Sequence, residues 1–341
     1  MQYHPMVQPR ISVIQLSYNQ APTLRPALNA ILAQKGEPLE IVFSDDASTD
    51  GTFELIEEVV AAYKGPHQIV MNRNPENLGI VGNVNRAVAL SHGQFIVQSN
   101  GDDISLPDRV ARLAAVWRGA PDRVMMVFSA AERIDEVGAV LGPARATKLA
   151  NVDAPLAEFI HVSAYIAGTC VGFSRKLYDH FGPIPDCAMV EDHVLPMRAR
   201  ALGHIGALPD ILVQWRTGGI SWAEPGTISH PSNVFYGRRV AVTLRVAANY
   251  QAHIIDLAKI DIADKDKIIR RCQRFVDRGA YLEKIVAMPA ILAFFCLVPA
   301  YFITLWRNDR FYLKITGKYA FRRVLYPLAL WRFNRKNRAK R

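Results

Sequence analysis

The sequence lacks the short motifs that usually mark a phosphate-binding loop or a hydrolytic centre. No glycine-rich GxGxxG follows its first apolar run, and GxxxxGK[ST], HExxH and GxSxG do not occur. Their absence disfavours a dinucleotide-binding dehydrogenase and a P-loop NTPase, and it removes the usual signatures of zinc proteases and α/β-hydrolases. If the protein binds a phosphorylated ligand, other groups must neutralise the phosphate charge.

Cysteine is also scarce. The four cysteines, Cys170, Cys187, Cys272 and Cys296, form no CxxC pair and have no histidine at the spacing of a zinc site. The pattern predicts reduced thiols in a cytosolic protein. The first ten residues contain no apolar stretch of the kind found in secretory signals, which favours synthesis and residence in the cytoplasm.

Most of the chain has almost no net charge, and the positive charge is concentrated near its end. Residues 307–341 carry 12 lysines and arginines against one aspartate, whereas the preceding 306 residues have a net charge of −1. A nucleic-acid-binding domain would show a basic face on its fold, so the neutral body predicts that nucleic acid is not a partner. With 341 residues, of which 50% are hydrophobic and 21% charged, the chain can form two domains or one large α/β domain with an appendage.

Short apolar strands alternate with amphipathic helices over the first hundred residues. The strand candidates are 11–17, 41–46, 68–72 and 95–100, and the helix candidates are 22–34, 53–63 and 81–91. This alternation predicts a parallel, doubly wound α/β sheet.

The polar residues of this region gather after the strands. Ser17–Asn19, Asp45–Asp46, Asn72–Asn77 and Asn100–Asp103 follow the four predicted strands in turn. Ligands of doubly wound sheets bind outside the carboxyl ends of the strands, although each group alone is also typical of turns and helix caps. Clustered carboxylates repel one another unless a cation or a donor lies among them. A sugar nucleotide or a divalent ion is the expected occupant, and oxygen ligands suit Mg²⁺ or Mn²⁺.

Five segments, in this order, resemble glycosyltransferase family 2, the inverting, sugar-nucleotide-dependent transferases of the GT-A fold. They are SVIQLSYN (12–19), DDASTDGT (45–52), NLGIVGNVNRA (77–87), NGDDISLPDR (100–109) and EDHVLPMRARALG (191–203). The resemblance implies a Rossmann-like α/β domain with a mostly parallel central sheet. It also implies a nucleotide-sugar donor and a divalent metal, Mg²⁺ or Mn²⁺.

The resemblance assigns the nucleotide sugar to the ends of the predicted strands. The residues implied to bind it are Ser17, Tyr18, Asp45, Asp46, Asn77, Gly79, Asn85, Asn100, Gly101 and Asp102. The first four would hold the base and ribose, and the next three would close over the nucleotide. Turn and cap formation remains the alternative role for all seven.

The Asp-x-Asp signature of the family corresponds to Asn100, Gly101 and Asp102. Asp102 is the expected metal ligand, and Asp103 is expected either to support the metal or to cap a helix over 107–117. Asn100 replaces the first acid of the signature and keeps an oxygen but supplies no charge, which predicts weaker metal affinity.

The fifth segment is implied to supply the catalytic base. Asp192 matches the residue that takes the proton from the acceptor hydroxyl, and Glu191 would orient Asp192 or bind the acceptor. Acidic residues also favour the first turn of a helix, so this segment is expected to start a helix as well. Trp215 and Arg216 are weaker candidates for diphosphate or acceptor contacts, with a core tryptophan and a surface arginine as the alternative.

The last third of the chain has helical periodicity and ends in an apolar segment followed by the basic tail. The predicted domains are 1–225 (catalytic), 226–284 (helical) and 285–341 (membrane-associating). Residues 285–306 carry no charge, and at ~1.5 Å per residue they could cross a ~30 Å hydrocarbon layer. A single crossing would export the basic tail against the positive-inside rule.

The apolar segment is therefore predicted to be re-entrant or to lie in the plane of the membrane. The basic tail would then rest on anionic lipid at the cytoplasmic face of the inner membrane. A buried helical hairpin in a soluble protein is the alternative.

Together these features predict a peripheral-membrane inverting glycosyltransferase. It would move a sugar from a nucleotide-diphosphate donor, with a UDP-sugar favoured, to a hydroxyl of a lipid-linked or surface-polysaccharide glycan. Two alternatives stay open. One is a catalytically lapsed family member that serves as a binding or scaffold subunit, and the other is a soluble glycosyltransferase with a protein or small-molecule acceptor.

Overall fold

The computed structural model describes residues 11–144, 147–148, 152–161, 165–218 and 231–287. The strands in these ranges are β1 Ile11–Ser17, β2 Glu40–Asp45, β3 Gln68–Arg73, β4 Phe95–Asn100, β5 Ile104–Ser105, β6 Val124–Ile134, β7 Val140–Pro143, β8 Thr147–Lys148, β9 Tyr165–Ile166, β10 Val171–Ser174 and β11 His204–Arg216. The helices are α1 Ala21–Leu32, α2 Thr52–Ala62, α3 Gly79–Leu90, α4 Arg109–Gly119, α5 Leu156–His161, α6 Lys176–Phe181, α7 Glu191–Leu202, α8 Pro231–Leu257 and α9 Lys265–Ala287.

The first four strands and the three helices between them begin and end within two residues of the predicted bounds. The strands of the main sheet lie in the order β3-β2-β1-β4-β10-β6-β11-β5, with β7 beside β6. The four strands β3, β2, β1 and β4 are parallel, as the alternating pattern predicts. Beyond β4 the sheet is mixed, because β10 is antiparallel to both β4 and β6.

Helices cover both faces of the sheet, which is why β1 and β2 are buried at every position. Val13 of β1 belongs to an apolar cluster with α1, α2 and α4, and its neighbour Ile14 belongs to a second cluster with α3, α6 and α7. Adjacent strand residues point to opposite faces of a sheet. The two clusters therefore form the two layers of the core.

Contacts divide the chain into two units. The first comprises Met1–Ala223 and Asn249–Cys272, and the second comprises Glu224–Ala248 and Gln273–Arg341. The first unit thus includes the end of α8, beyond the boundary that the sequence suggests at 225. The division into 1–225, 226–284 and 285–341 stays a prediction.

No helix among the described residues is both long enough and apolar enough to cross a membrane. The apolar segment and basic tail predicted over 285–341 lie outside the described residues, apart from the last turn of α9 up to Ala287. The prediction of a membrane-associating segment therefore rests on the sequence.

An ion pair without solvent exposure joins α7 to the end of α8. Arg198 donates from Nε and Nη2 to the Asp256 carboxylate, at 2.7 and 3.0 Å. Its Nη1 and Nη2 also donate to the carbonyls of Gly182 and Pro183, at 2.7 and 2.9 Å. A buried charge is tolerated only when it is paired and hydrogen-bonded, and this guanidinium meets both conditions.

We expect Arg198→Met to lower the free energy of unfolding by about 3–5 kcal/mol, because it removes the hydrogen-bonded partner of the buried Asp256 carboxylate and leaves only the more distant Lys259 ammonium, 3.7 Å away. Urea denaturation of the full chain measures the loss. Arg25→Met is the matched control, since it breaks a pair with Glu58 whose side chains are 49% and 65% exposed, and it should cost less than about 1 kcal/mol. Equal losses in the two variants would contradict the importance of the buried pair.

Candidate active site

Three strand ends that carry predicted site residues lie side by side. Ser17 is in register with Asp45 across β1 and β2, and Leu16 is in register with Asn100 across β1 and β4. Because these strands are parallel, their carboxyl ends open on one edge of the sheet. The loops that follow them therefore line the place where a ligand of this kind of sheet is expected.

Hydrogen bonds join the loop after β1 to the loop after β2. The backbone N–H of Asn19 donates to Ser48 Oγ at 2.8 Å, and that of Thr49 donates to Asn19 Oδ1 at 2.9 Å. Ser48 in turn donates to the Asp45 carboxylate from its backbone N–H and from its hydroxyl. Burial raises the pKa of Asp45, although the bonds from Ser48 and the charge of Arg73 oppose the shift. The Asp45 carboxylate therefore shapes this loop.

Asp46 holds the next loop in a similar way. Its Oδ1 accepts from Asn74 Nδ2 and from the backbone N–H of Leu78, both at 2.9 Å. Asn74 also donates to Asn83 Oδ1 at 3.1 Å, and that oxygen accepts from Ser44 Oγ at 2.6 Å. Asn83 is not among the site residues predicted from the sequence. The signal that could have found it is a polar residue on the inward, apolar face of α3.

The remaining predicted residues of the α3 segment have partners within the protein. The exposed Asn77 accepts from the backbone N–H of Gly79 at 3.0 Å, which closes a tight turn in front of α3. Gly79 has a φ of +72°, a conformation that favours glycine. Both polar atoms of the Asn85 side chain bond to the backbone of Ile184 at 2.9 Å. Asn77 and Gly79 thus shape the start of α3, whereas Asn85 is tied to the segment after α6.

The Asn100–Asp103 loop packs closely against the residues that follow β1. A Cβ atom at Gly101 would meet the end of the Gln20 side chain and the Leu24 side chain, so a larger residue there would require these side chains to shift. Burial raises the pKa of Asp102, while the charge of Arg216 and a hydrogen bond with Gln20 oppose the shift. Burial and the neighbouring Asp102 charge hold the pKa of Asp103 well above its usual range. The loop therefore carries two carboxyl groups whose ionisation is costly.

Arg216, the last residue of β11, anchors this acidic loop. Its backbone N–H donates to Asp103 Oδ1 at 2.9 Å, and its Nε donates to the Asp102 carbonyl at 3.0 Å. Its Nη1 donates to the carbonyls of Asp135 and Glu136, at 2.6 and 2.7 Å. The residue is 6% exposed. The alternative of a surface arginine is therefore wrong, and Arg216 supports the Asp102 loop from within the fold.

The loop offers a divalent cation one carboxylate, that of Asp102. Asn100 Oδ1 is buried and accepts no hydrogen bond from the described residues, so it adds an open amide oxygen. Asp103 is already engaged by Arg216, and in the described part of the chain no three His, Cys, Asp or Glu side chains converge on a metal site. This donor set fits Mg²⁺ or Mn²⁺ held by one or two protein oxygens plus phosphate oxygens and water.

A second buried polar atom is open at the end of β1. Ser17 Oγ is buried and has no hydrogen-bond partner within the described ranges. Tyr18, half-buried, follows it before α1 begins. Buried hydroxyls are normally hydrogen-bonded, so Ser17 Oγ is available to a ligand at this edge of the sheet.

Helix α7 brings the second acidic segment to the same end of the sheet. Gln98 of β4 donates from Nε2 to Glu191 Oε1 at 2.7 Å, two positions before Asn100. Glu191 is 5% exposed, and burial raises its pKa, although the bond from Gln98 opposes the shift. Asp192 is the next residue, half-buried in the first turn of α7. The Gln98–Glu191 bond thus connects the Asp192 turn to the strand that ends in Asn100.

Gly168 leaves the space for this bond. A Cβ atom at residue 168 would collide with Gln98 Nε2 and with Glu191 Oε1. Neither Gln98 nor Gly168 is predicted from the sequence, because a glutamine in a strand and a lone glycine carry no specific signal.

Comparison with known proteins places this arrangement in a family. A family model described as Glycosyl transferase family 2 matches residues 12–182, half of the chain. The succinoglycan biosynthesis protein ExoO of Rhizobium meliloti is 34% identical over 107 residues, which cover 31% of this chain and 29% of that protein. The chain spans between 29% and 58% of the length of the curated relatives it matches.

Two solved structures have a similar fold. Staphylococcus aureus TarS 1-349 in complex with UDP-GlcNAc has a TM-score of 0.54 at 15% identity, covering 94% of this chain and 92% of that one. The mannosyltransferase PcManGT from Pyrobaculum calidifontis, in complex with GDP-Man and Mn²⁺, has a TM-score of 0.52 at 18% identity, covering 95% and 88%. At these identities the likeness concerns the fold alone, which is the GT-A fold.

We expect Gly168→Ala to destabilise the protein by about 1–3 kcal/mol, because the added methyl group overpacks the Gln98–Glu191 pair. Thermal and urea unfolding measure the effect. Gly119→Ala is the control, since a Cβ there meets no atom within 4 Å and the residue ends α4. Unchanged stability in the Gly168 variant would show that the pair has room to shift.

Proposed function

The chain belongs to glycosyltransferase family 2, and we propose that it transfers a sugar, with inversion, from a UDP-sugar to an acceptor hydroxyl. The observation that carries the proposal is the 2.7 Å bond between Gln98 and Glu191. This bond joins β4 to the first turn of α7. Strand β4 leads into the loop that carries Asp102, and the turn of α7 carries Asp192. Inverting transfer needs such an arrangement, since the leaving diphosphate and the base act on opposite sides of one sugar carbon.

Asp192 is the proposed base. Its carboxylate takes the proton of the acceptor hydroxyl as the hydroxyl oxygen forms a bond to the anomeric carbon. The bond between that carbon and the diphosphate oxygen breaks, and its electron pair leaves with the nucleoside diphosphate. Glu191 is buried and bonded to Gln98, so its proposed part is to hold the turn in place.

Asn100 and Asp102 are proposed to bind the diphosphate end of the donor, and Ser17 and Tyr18 the nucleoside. The open Ser17 hydroxyl and the open Asn100 amide oxygen support this division. A divalent cation held by Asp102 would neutralise negative charge on the diphosphate. Asp103 is proposed only to support this loop, because its carboxylate already accepts a hydrogen bond from the backbone of Arg216.

Four of the predicted residues are proposed to favour donor binding indirectly, by holding the loops that enclose the sugar nucleotide. They are Asp45, Asp46, Asn77 and Gly79. Their carboxylate, amide and backbone groups are bonded within those loops. A loop with fewer alternative conformations loses less entropy when a ligand binds. The neighbours' UDP, UDP-GlcNAc and GDP-Man indicate the class of donor to test.

We expect Asp192→Asn to lower the rate of sugar transfer or donor hydrolysis by about 10²–10⁴-fold, the usual contribution of a positioned base. UDP affinity should stay unchanged. The assay uses the full chain with a panel of UDP- and GDP-sugars and Mn²⁺, and calorimetry measures UDP binding. Asp186→Asn, which changes an exposed aspartate of the loop before α7, is the matched control and should behave like the wild type.

Three results would contradict the proposal in different ways. A wild type that binds none of the donors refutes the donor class. A wild type that binds UDP without turning over any donor favours the lapsed, scaffold alternative. Full activity of the Asp192 variant removes Asp192 as the base.

The acceptor is proposed to be a lipid-linked or surface-polysaccharide glycan. Similarity to a succinoglycan biosynthesis protein supports a polysaccharide acceptor. The excess of lysine and arginine over 307–341, which suits an anionic lipid surface, supports a membrane location. A peripheral site at the cytoplasmic face of the membrane would bring the enzyme to such an acceptor.

We expect the full chain to sediment with phosphatidylglycerol vesicles and to remain in solution with phosphatidylcholine vesicles. Because the attraction is electrostatic, raising salt from about 0.1 M to about 1 M should release it. Changing Arg332, Arg335, Lys336 and Arg338 to glutamine should weaken the binding. Equal sedimentation with both lipids, or none with either, contradicts the role of the basic tail and favours a soluble glycosyltransferase.

A further inference from the structure

The helix that carries Asp192 begins without a side-chain cap of its own. Val190 is the N-cap residue of α7, its backbone is extended, and it makes no side-chain capping bond. The first N–H groups of a helix have no partner within the helix. The position of the first turn, and of Asp192 within it, must therefore be set by contacts from elsewhere in the fold.

One such contact comes from α8. Asn249 Oδ1 accepts hydrogen bonds from the backbone N–H groups of Met189 and Val190, at 3.0 and 3.4 Å. Asn249 is 2% exposed, so water does not compete for these donors. The asparagine lies 59 and 60 residues further along the chain and holds the two peptide groups that lead into α7.

The same stretch of α8 holds α7 a second time. Asp256 pairs with Arg198 two turns further along α7. Seven residues separate Asn249 from Asp256 and eight separate Val190 from Arg198, which corresponds to rises of about 10 and 12 Å. The two spacings are similar, and the two contacts hold α7 at its start and near its middle.

We infer that Asn249 is a positioning residue for the transfer reaction and that it acts through Asp192. The inference rests on the proposed function. Asn249 fixes the backbone two and three residues before Asp192, and Gln98 fixes the side chain of Glu191. The turn that carries the base is thereby tied to both β4 and α8.

The donor side of the site does not depend on Asn249. The loops after β1, β2 and β3 are joined by their own bonds from Ser48 to Asp45 and from Asn74 to Asp46. Loss of the Asn249 bonds should therefore displace the base and leave nucleotide binding intact. A displacement of about 1 Å at a reacting group can cost on the order of 10²-fold in rate.

The test compares three variants of the full chain. Asn249→Leu removes the acceptor oxygen at nearly constant volume. Asn249→Asp keeps an acceptor oxygen near a helix N-terminus, where aspartate serves as well as asparagine. Tyr250→Phe is the matched control, since it removes a buried 2.7 Å bond from the neighbouring α8 residue to the carbonyl of Ile160, which belongs to α5.

We expect Asn249→Leu to lower kcat by about 10- to 100-fold while the donor KM stays within about twofold. Asn249→Asp should recover most of kcat, and Tyr250→Phe should keep both constants near wild type. A kcat for Asn249→Leu equal to that of Tyr250→Phe would overturn the inference, as would equal losses in kcat for the leucine and aspartate variants.

A double variant tests whether the effect passes through Asp192. With Asp192→Asn already present, adding Asn249→Leu should change the residual rate by less than about twofold, because residues that act as one unit are not additive. A further loss as large as in the wild type would overturn the coupling.

Amide hydrogen exchange gives a readout that needs no activity. The Met189 and Val190 amides should exchange faster in Asn249→Leu and remain protected in Asn249→Asp and Tyr250→Phe. Unchanged protection in the leucine variant would overturn the inference. If the variants show this exchange pattern but the wild type transfers no sugar, the proposed function is overturned. Asn249 would then have only a structural role at the start of α7.

Discussion

The buried hydrogen bond between Gln98 and Glu191 connects the two halves of the candidate site. Glu191 has almost no contact with water, so burial raises its pKa and an amide donor must replace the lost hydration. The strand fixes Gln98, Gly168 leaves the necessary space, and the bond in turn fixes the start of α7. This buried contact therefore helps to fix the Asp192 turn relative to the strand that leads to Asp102.

The polar residues at this end of the sheet divide into two groups. The Asp45 and Asp46 carboxylates accept hydrogen bonds from neighbouring backbone N–H groups, and Asp46 also accepts one from the Asn74 side chain. These bonds hold the loops in one arrangement. Ser17 Oγ and Asn100 Oδ1 are buried without a partner among the described residues. A transferase needs both groups. Its loops must be ordered before the sugar nucleotide binds, and some hydrogen-bonding atoms must remain open to contact that nucleotide.

Several site features could be predicted from the sequence and others could not. The apolar runs and the polar residues after them predict β1 to β4 and the edge at which Ser17, Asp45 and Asn100 meet. The family resemblance adds Asp192 as a base and Asp102 as a metal ligand, roles that remain proposals. The hydrogen bond between Asn85 and Ile184 and the burial of Arg216 could not be foreseen. Both depend on contacts with segments that are distant in the sequence.

The sequence by itself determined the first four strands, the three helices between them and the resemblance to the family, because periodicity and short motifs are local properties of a chain. Only the tertiary structure decided which polar atoms are engaged and which are open. Hydrogen bonds such as those from Met189 to Asn249 or from Gln98 to Glu191 join residues 60 and 93 positions apart. Such partners meet only when helices pack on the sheet, and the pattern of apolar residues that drives this packing does not specify them.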